Sequence, residues 1–161
     1  MTRGVFSATS QLTAAELNDC FDPPRCRLTK SGTQSISNAT TTAITFDVED
    51  FDDGAMHSTS SNTSRITVPT GGAGTYLVGA NVEFAQNSTG VRTVLITVNG
   101  TSTQVTVRDL SPSASNASRL ACSSLVQLVE GDYVEAQVVQ SSGGSLNVAA
   151  SCNLWACWVA V

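Results

Sequence analysis

The stretch that most constrains this chain runs Gly74-Thr-Tyr-Leu-Val-Gly-Ala-Asn-Val-Glu-Phe84. Successive side chains of an extended segment point to opposite faces, so Tyr76, Val78, Ala80, Val82 and Phe84 share one side and Leu77, Gly79, Asn81 and Glu83 the other. The first set is a core face. The second starts apolar or tiny and turns polar, so at one end it needs a further surface to bury against. The surface expected here is the same strand in two other copies of the chain. The last strand repeats the pattern. Leu154, Ala156, Trp158 and Ala160 oppose Trp155, Cys157, Val159 and Val161, and neither set is polar.

At 161 residues the chain is one domain plus an arm, long enough to bury roughly 70% of its unfolded surface. Charged residues make up only 13%, and abundant Ser, Thr, Gly and Val serve strands and turns better than helices. The net charge is −5, with Lys30 as the single lysine, so no nucleic-acid partner is expected. No stretch is apolar and long enough for membrane insertion. Met1–Ser10 lacks the apolar segment of a signal peptide, so secretion by that route is not expected. The cysteines are Cys20, Cys26, Cys122, Cys152 and Cys157. An odd number without a signal peptide favours reduced thiols acting as small hydrophobes, with a Cys20–Cys26 bridge or a bridge between copies as alternatives.

Residues 1–30 differ from the rest. Leu12-Thr-Ala-Ala-Glu-Leu-Asn18 carries a helix start, with Thr13 as N-cap and Glu16 three residues on. Phe21-Asp-Pro-Pro-Arg25 stops it, because two prolines favour an extended run. Such a segment makes no core of its own. Its apolar residues Val5, Phe6, Leu12, Leu17 and Phe21 suit an anchor that orders against a partner. From Ser31 to Val161 short alternating runs separated by turn signals predict an all-β sandwich. The expected strands are Ser35–Ser37, Ala43–Val48 (Ile44, Phe46 and Val48 on one face), Arg65–Pro69, Gly74–Phe84, Val91–Val98, Thr101–Arg108, Arg119–Leu128, Tyr133–Gln140, Ser145–Ala150 and Asn153–Val161. Polar loops are expected at Glu49–Asn62 and Pro112–Asn116. Asn99-Gly100 is the strongest hairpin signal, since both turn positions need φ > 0.

Three motifs in order carry a resemblance. Arg65-Ile-Thr-Val-Pro69 followed by Gly74-Thr-Tyr-Leu-Val-Gly-Ala80, then Leu125-Val-Gln-Leu-Val-Glu-Gly-Asp-Tyr-Val134, then Ala156-Cys-Trp-Val-Ala-Val161 resemble the strands and Gly-Asp turn of the complement globular head and tumour-necrosis-factor superfamily. The resemblance covers residues 31–161. It implies a ten-strand jelly roll of two antiparallel sheets, associated as a homotrimer. Carried over by position, it places Leu77, Gly79, Asn81, Ala121, Ser123, Leu125, Trp155, Cys157 and Val159 at the trimer interface. Tyr76, Val78, Cys122, Val126, Leu128 and Trp158 would fill the protomer core.

Phe46–His57, Asn87–Arg92 and Leu95–Gly100 are similar to the tailed-bacteriophage branch of this superfamily, and Leu12–Asn18 resembles an N-terminal stretch of phage virion proteins. The branch implies a virion protein made in the host bacterial cytoplasm and carried on the particle surface. No collagen-like repeat, coiled-coil stalk or membrane anchor precedes the domain in this sequence, so complement-style assembly is not expected.

Asp47, Glu49, Asp50, Asp52 and Asp53 place five carboxylates within seven residues, next to the only histidine, His57. Oxygen ligands on a flexible loop could hold Ca²⁺, although the spacing departs from the EF-hand and a solvated acidic run is the commoner outcome. His57 could contact a ligand or simply lie at the surface. One histidine, no G-x-S-x-G elbow and no paired acid and base elsewhere leave a hydrolase without parts, so no enzyme and no cofactor is expected. The expectation is therefore a trimeric knob whose arm docks on the major capsid protein or another virion protein and stabilises the capsid. The alternative is a receptor-binding tip of a tail or head fibre. There Asp50–Asn62 and Pro112–Asn116 would contact a host-surface glycan or protein.

Overall fold

The computed structural model describes residues 23–109 and 113–160. The helix start at 12–18, the anchor residues Val5, Phe6, Leu12, Leu17 and Phe21, and Cys20 lie outside the described residues. Twelve strands follow in order: β1 (Arg25–Thr29), β2 (Gln34–Ile36), β3 (Thr42–Ala43), β4 (Val48–Asp53), β5 (Arg65–Thr67), β6 (Gly74–Phe84), β7 (Arg92–Val98), β8 (Ser102–Asp109), β9 (Ser118–Leu128), β10 (Tyr133–Gln140), β11 (Leu146–Val148) and β12 (Asn153–Ala160). All are paired antiparallel, and no helix occurs among the described residues.

They form two sheets. In the first, β6 pairs along its whole length with β9 on one edge. Its other edge pairs with β12 and, at Phe84, with β11. Beyond β12 come β1 and then β4, and β2 continues from β11. In the second, β10 lies between β7 and the short strands β3 and β5, and β8 flanks β7. The inner faces meet in one core. Tyr76, Val78, Ala80, Val82 and Phe84 of β6 face Val94 and Ile96 of β7 and Val134, Ala136 and Val138 of β10, all of them buried. The period-two reading of β6 thus matches its inward set. Asn99 and Gly100 both have positive φ (52° and 75°), the geometry expected of their hairpin.

The structure corrects four expectations. Among the described residues there are twelve strands rather than ten, because short pieces pair separately at the sheet margins. The arm does not run to residue 30, since Arg25–Thr29 is a strand held between β12 and β4. Ala43–Val48 is not one strand. The backbone of Thr45 and Phe46 is taken up by the Gln34 side chain and the Thr63 carbonyl, so Ile44 and Phe46 turn inward while Val48 starts a new strand at 38% exposure. Glu49–Asn62 is not wholly loop either, because Val48–Asp53 pairs with β1.

Buried polar groups are spent on loops. Arg92, fully buried, donates to the carbonyls of Asn87, Thr89 and Val91. Gln140, also fully buried, holds the carbonyls of Ile36 and Gly144 and the Ser142 amide. Tyr76 reaches out of the core to donate to the Gly72 carbonyl at 2.7 Å, and burial first, then nearby Cys157, pushes its phenol up to about 12. Tyr76→Phe should lower stability by about 1–2 kcal/mol by orphaning that carbonyl. A urea midpoint equal to that of the parent protein would refute this role.

Candidate interaction surface

The outward face of the first sheet can be laid out from its strand registers. One row runs Asp53, Arg25, Cys157, Leu77, Leu125 from β4 through β1, β12 and β6 to β9. The next runs Phe51, Arg27, Trp155, Gly79, Ser123, and the third Val48, Thr29, Asn153, Asn81, Ala121. Eight of the nine residues predicted to face other copies occupy this grid, and Val159 lies beyond it on β12. The sandwich therefore gathers them on a single face.

Between its charged β4–β1 margin and its polar third row, that face exposes a group of apolar side chains. Leu125 is 63% exposed, Val159 52%, Phe51 44% and Leu77 37%. Isolated exposed aliphatics are ordinary, whereas a contiguous group across adjacent strands marks an interaction site. Towards the third row the face turns polar, and the Asn81 amide donates to Asn153 Oδ1 at 2.8 Å.

Trp155 sets the relief. A Cβ on Gly79 would lie 2.1 Å from Trp155 Cζ2, so the indole rests on bare backbone. A groove of about 320 Å³ opens on its β1 side, lined among others by Arg27, Phe51 and Cys157. A second, of about 260 Å³, opens on its β9 side against Ala121 and Ser123. The guanidiniums that border the first groove are tied at its margin, Arg25 to Asp53 at 2.6 Å and Arg27 to Asp50 at 3.1 Å. Phe51, Arg25 and Arg27 were missed in the sequence. The signal that could have found them is the alternation of Arg25 and Arg27 with buried Cys26 and Leu28.

The acidic segment spreads its carboxylates among local partners. Alternate carboxylates of a strand diverge, and four of the five have a local partner. Asp47 accepts from Ser31, which holds its carboxyl below the usual range. Asp50 meets Arg27 and Thr29. Asp52 caps the Met56 and His57 amides, and Asp53 pairs with Arg25. Glu49 is exposed. The His57 ring is directed elsewhere, with Nδ1 2.8 Å from the Arg65 carbonyl. Among the described residues no three His, Cys, Asp or Glu side chains are grouped to hold a metal ion. Cys26, Cys122, Cys152 and Cys157 are free thiols. Burial pushes the first three up, away from the thiolate that nucleophilic chemistry requires.

The sequence matches no protein-family model and no curated protein. Solved structures do share the fold. Murine APRIL at pH 5.0 superposes with a TM-score of 0.65 at 12% identity, over 84% of this chain and 98% of that one. The globular domain of zebrafish complement 1qA gives 0.61 at 12%, over 85% and 97%. Eiger TNF from S. frugiperda gives 0.58 at 13%, over 86% and 94%. The fold is the jelly roll of the tumour-necrosis-factor and complement-head proteins.

Within this jelly roll the Trp155–Gly79 contact is the part of the face most sensitive to a single methyl group. Gly79→Ala should lift the indole and cost about 1–3 kcal/mol, as overpacking does. It should also move tryptophan emission to longer wavelength. A variant with the parent's emission and urea midpoint would contradict the seating of Trp155.

Proposed function

We propose that the protein is a non-enzymatic, homotrimeric jelly-roll knob on the surface of a bacteriophage particle, where it decorates and stabilises the capsid. The observation that carries the trimer is the outward apolar group of Leu77, Leu125, Trp155 and Val159, which sits on strands whose other face is already the core. Covering each of these large apolar side chains is worth about 1.5–3 kcal/mol when burial is complete, enough in sum to drive association. The virion assignment is supported by the resemblance of Phe46–His57, Asn87–Arg92 and Leu95–Gly100 to phage virion proteins.

Docking would use the N-terminal residues, against the major capsid protein or another virion protein. The chain enters the sandwich at Pro23–Pro24, beside the end of β12, where the Trp158 amide donates to the Pro24 carbonyl. Three arms leaving one end of a trimer bind with avidity, because the second and third attachments are intramolecular. Bridging neighbouring capsomers in that way opposes the outward pressure of packaged DNA.

One observation favours the second reading, a receptor-contacting tip. At the other end of the sandwich, segments 37–41, 85–91, 113–117 and 141–145 contain no charged residue. Arg92 and Gln140 hold two of them, 85–91 and 141–145, from beneath. Rigid, uncharged, hydroxyl- and amide-rich loops suit hydrogen bonding to a host-surface glycan.

Leu77→Asp tests the trimer. It would bring three carboxylates together in a dry interface at a cost of several kcal/mol, on the order of 3–5. Light scattering should report monomer or aggregate, and an intact trimer would sink the assignment. Copy number separates the two roles on the particle. A decoration is present in many copies, and its loss weakens capsids without stopping adsorption. A tip is present in few copies, and free knob competes with infection.

A further inference from the structure

One cavity lies off the apolar face. It opens beside the turn between β1 and β2, has a volume of about 240 Å³ and is lined among others by Lys30, Gly32, Thr33, Thr45, Asp47 and Thr63. None of these residues belongs to the three rows that carry Leu77, Trp155 and Leu125. The cavity is complete within one protomer, so it rests on neither role proposed above.

Hydrogen bonds set its walls. Gln34, on β2, accepts from the Thr45 amide and donates to the Ala43 carbonyl, both at 2.9 Å. The Phe46 amide is held by the Thr63 carbonyl at 2.8 Å. The Lys30 ammonium donates to the Thr45 carbonyl and to Gln34 Oε1, which leaves one of its three N–H groups unused. Asp47 accepts from the Ser31 amide and hydroxyl, which leaves about half of the roughly four acceptor positions of a carboxylate. Lys30 and Asp47 thus bring opposite charges to one cavity, and among the described residues neither forms an ion pair. Thr33 and Thr63 add hydroxyls that no other described residue engages.

That lining selects its guest. Drug-sized ligands occupy about 300–1,000 Å³, so this smaller space suits a single ring. Lys30 opposes a cation and Asp47 an anion. An apolar guest would strip water from both, and from the two free hydroxyls, without replacing the lost hydrogen bonds. A hydroxyl group donates and accepts at once. It can lie between the remaining Lys30 N–H and the open Asp47 lone pairs while its neighbours on the same ring meet Thr33 and Thr63. We propose that this cavity binds one neutral hexose ring, with Lys30 and Asp47 sharing one of its hydroxyls and Thr33 and Thr63 engaging others. The ring is either the terminal residue of a glycan or a free sugar.

Lys30 is the single lysine of the chain, so ¹⁵N-lysine labelling of the full chain yields one backbone amide signal, and it lies within the site. That signal is followed while methyl glucoside, methyl galactoside and methyl mannoside are added, and then the free hexoses. The expected result is a saturable shift with at least one of these sugars in the millimolar range. A shift with a methyl glycoside identifies a glycan terminus, and a shift with free hexoses alone a soluble sugar. Thr33→Val and Thr63→Val keep the side-chain shape and remove the hydroxyl, and each should weaken binding about threefold to tenfold. No shift with any sugar, or an unchanged affinity in both variants, overturns the proposal. A saturable shift with glycine also overturns it, in favour of a zwitterion held between Lys30 and Asp47. Thr33 is exposed, so its variant should fold as the parent does, and circular dichroism checks both. Association does not enter the readout, so failure here leaves the trimer reading untouched.

Discussion

The whole structure depends on the two-residue alternation of β6, β9 and β12. Three neighbouring strands each present one set of side chains to the core, and the opposite set is then committed to the outward face whatever its chemistry. In most sandwiches that second set is polar. Here it includes Leu77, Leu125, Trp155, Cys157 and Val159, and a one-residue slip in register would only exchange the two problems. The core does not relieve the conflict, because Tyr76, Val78, Val126, Leu128, Leu154 and Ala156 already fill it. On the proposed reading, cover comes from outside the protomer.

The polar parts of the molecule are arranged around that face. Asn81 and Asn153 satisfy each other where the apolar group ends, and Glu83 pairs with Arg119 at the same end. On the far side the Arg25–Asp53 and Arg27–Asp50 pairs are well exposed, so they stabilise the protomer little. Their effect is to leave the floor of the groove without a free charge. The second sheet uses charge differently. Glu135, nearly buried, accepts from Ser64, Arg65 and Gln137, and Arg65 stacks on Tyr133 at 3.9 Å. There the outer face carries its own charge pairing. The contrast between these charge-paired side chains and the apolar group on the first sheet would, on the proposed reading, direct association to that side of the sandwich.

Much of this was legible before the structure. Long strands with one strict face (β6, β9, β10 and β12) and the Asn99-Gly100 turn announced themselves through period and turn chemistry. The margins did not. β1 is five residues between two prolines and a turn, and only Cys26 and Leu28 mark its inward side. β4 reads as an acidic loop because an edge strand tolerates charge on its outward and open sides, and a register shift between Arg27 and Leu28 breaks its alternation. The groove was hidden for the same reason, since Phe51 and Arg27 come from those two strands. Nor could sequence reveal that Arg92 is fully buried, because its partners are backbone carbonyls of a loop that carry no side-chain signature.

The central claim is that the outward face of β6, β9 and β12 is kept dry by two further copies of the chain. Native mass spectrometry of the purified protein measures this most directly. The account predicts a dominant species of three 16.7 kDa chains that persists on dilution. A dominant single chain at the same concentrations would contradict it.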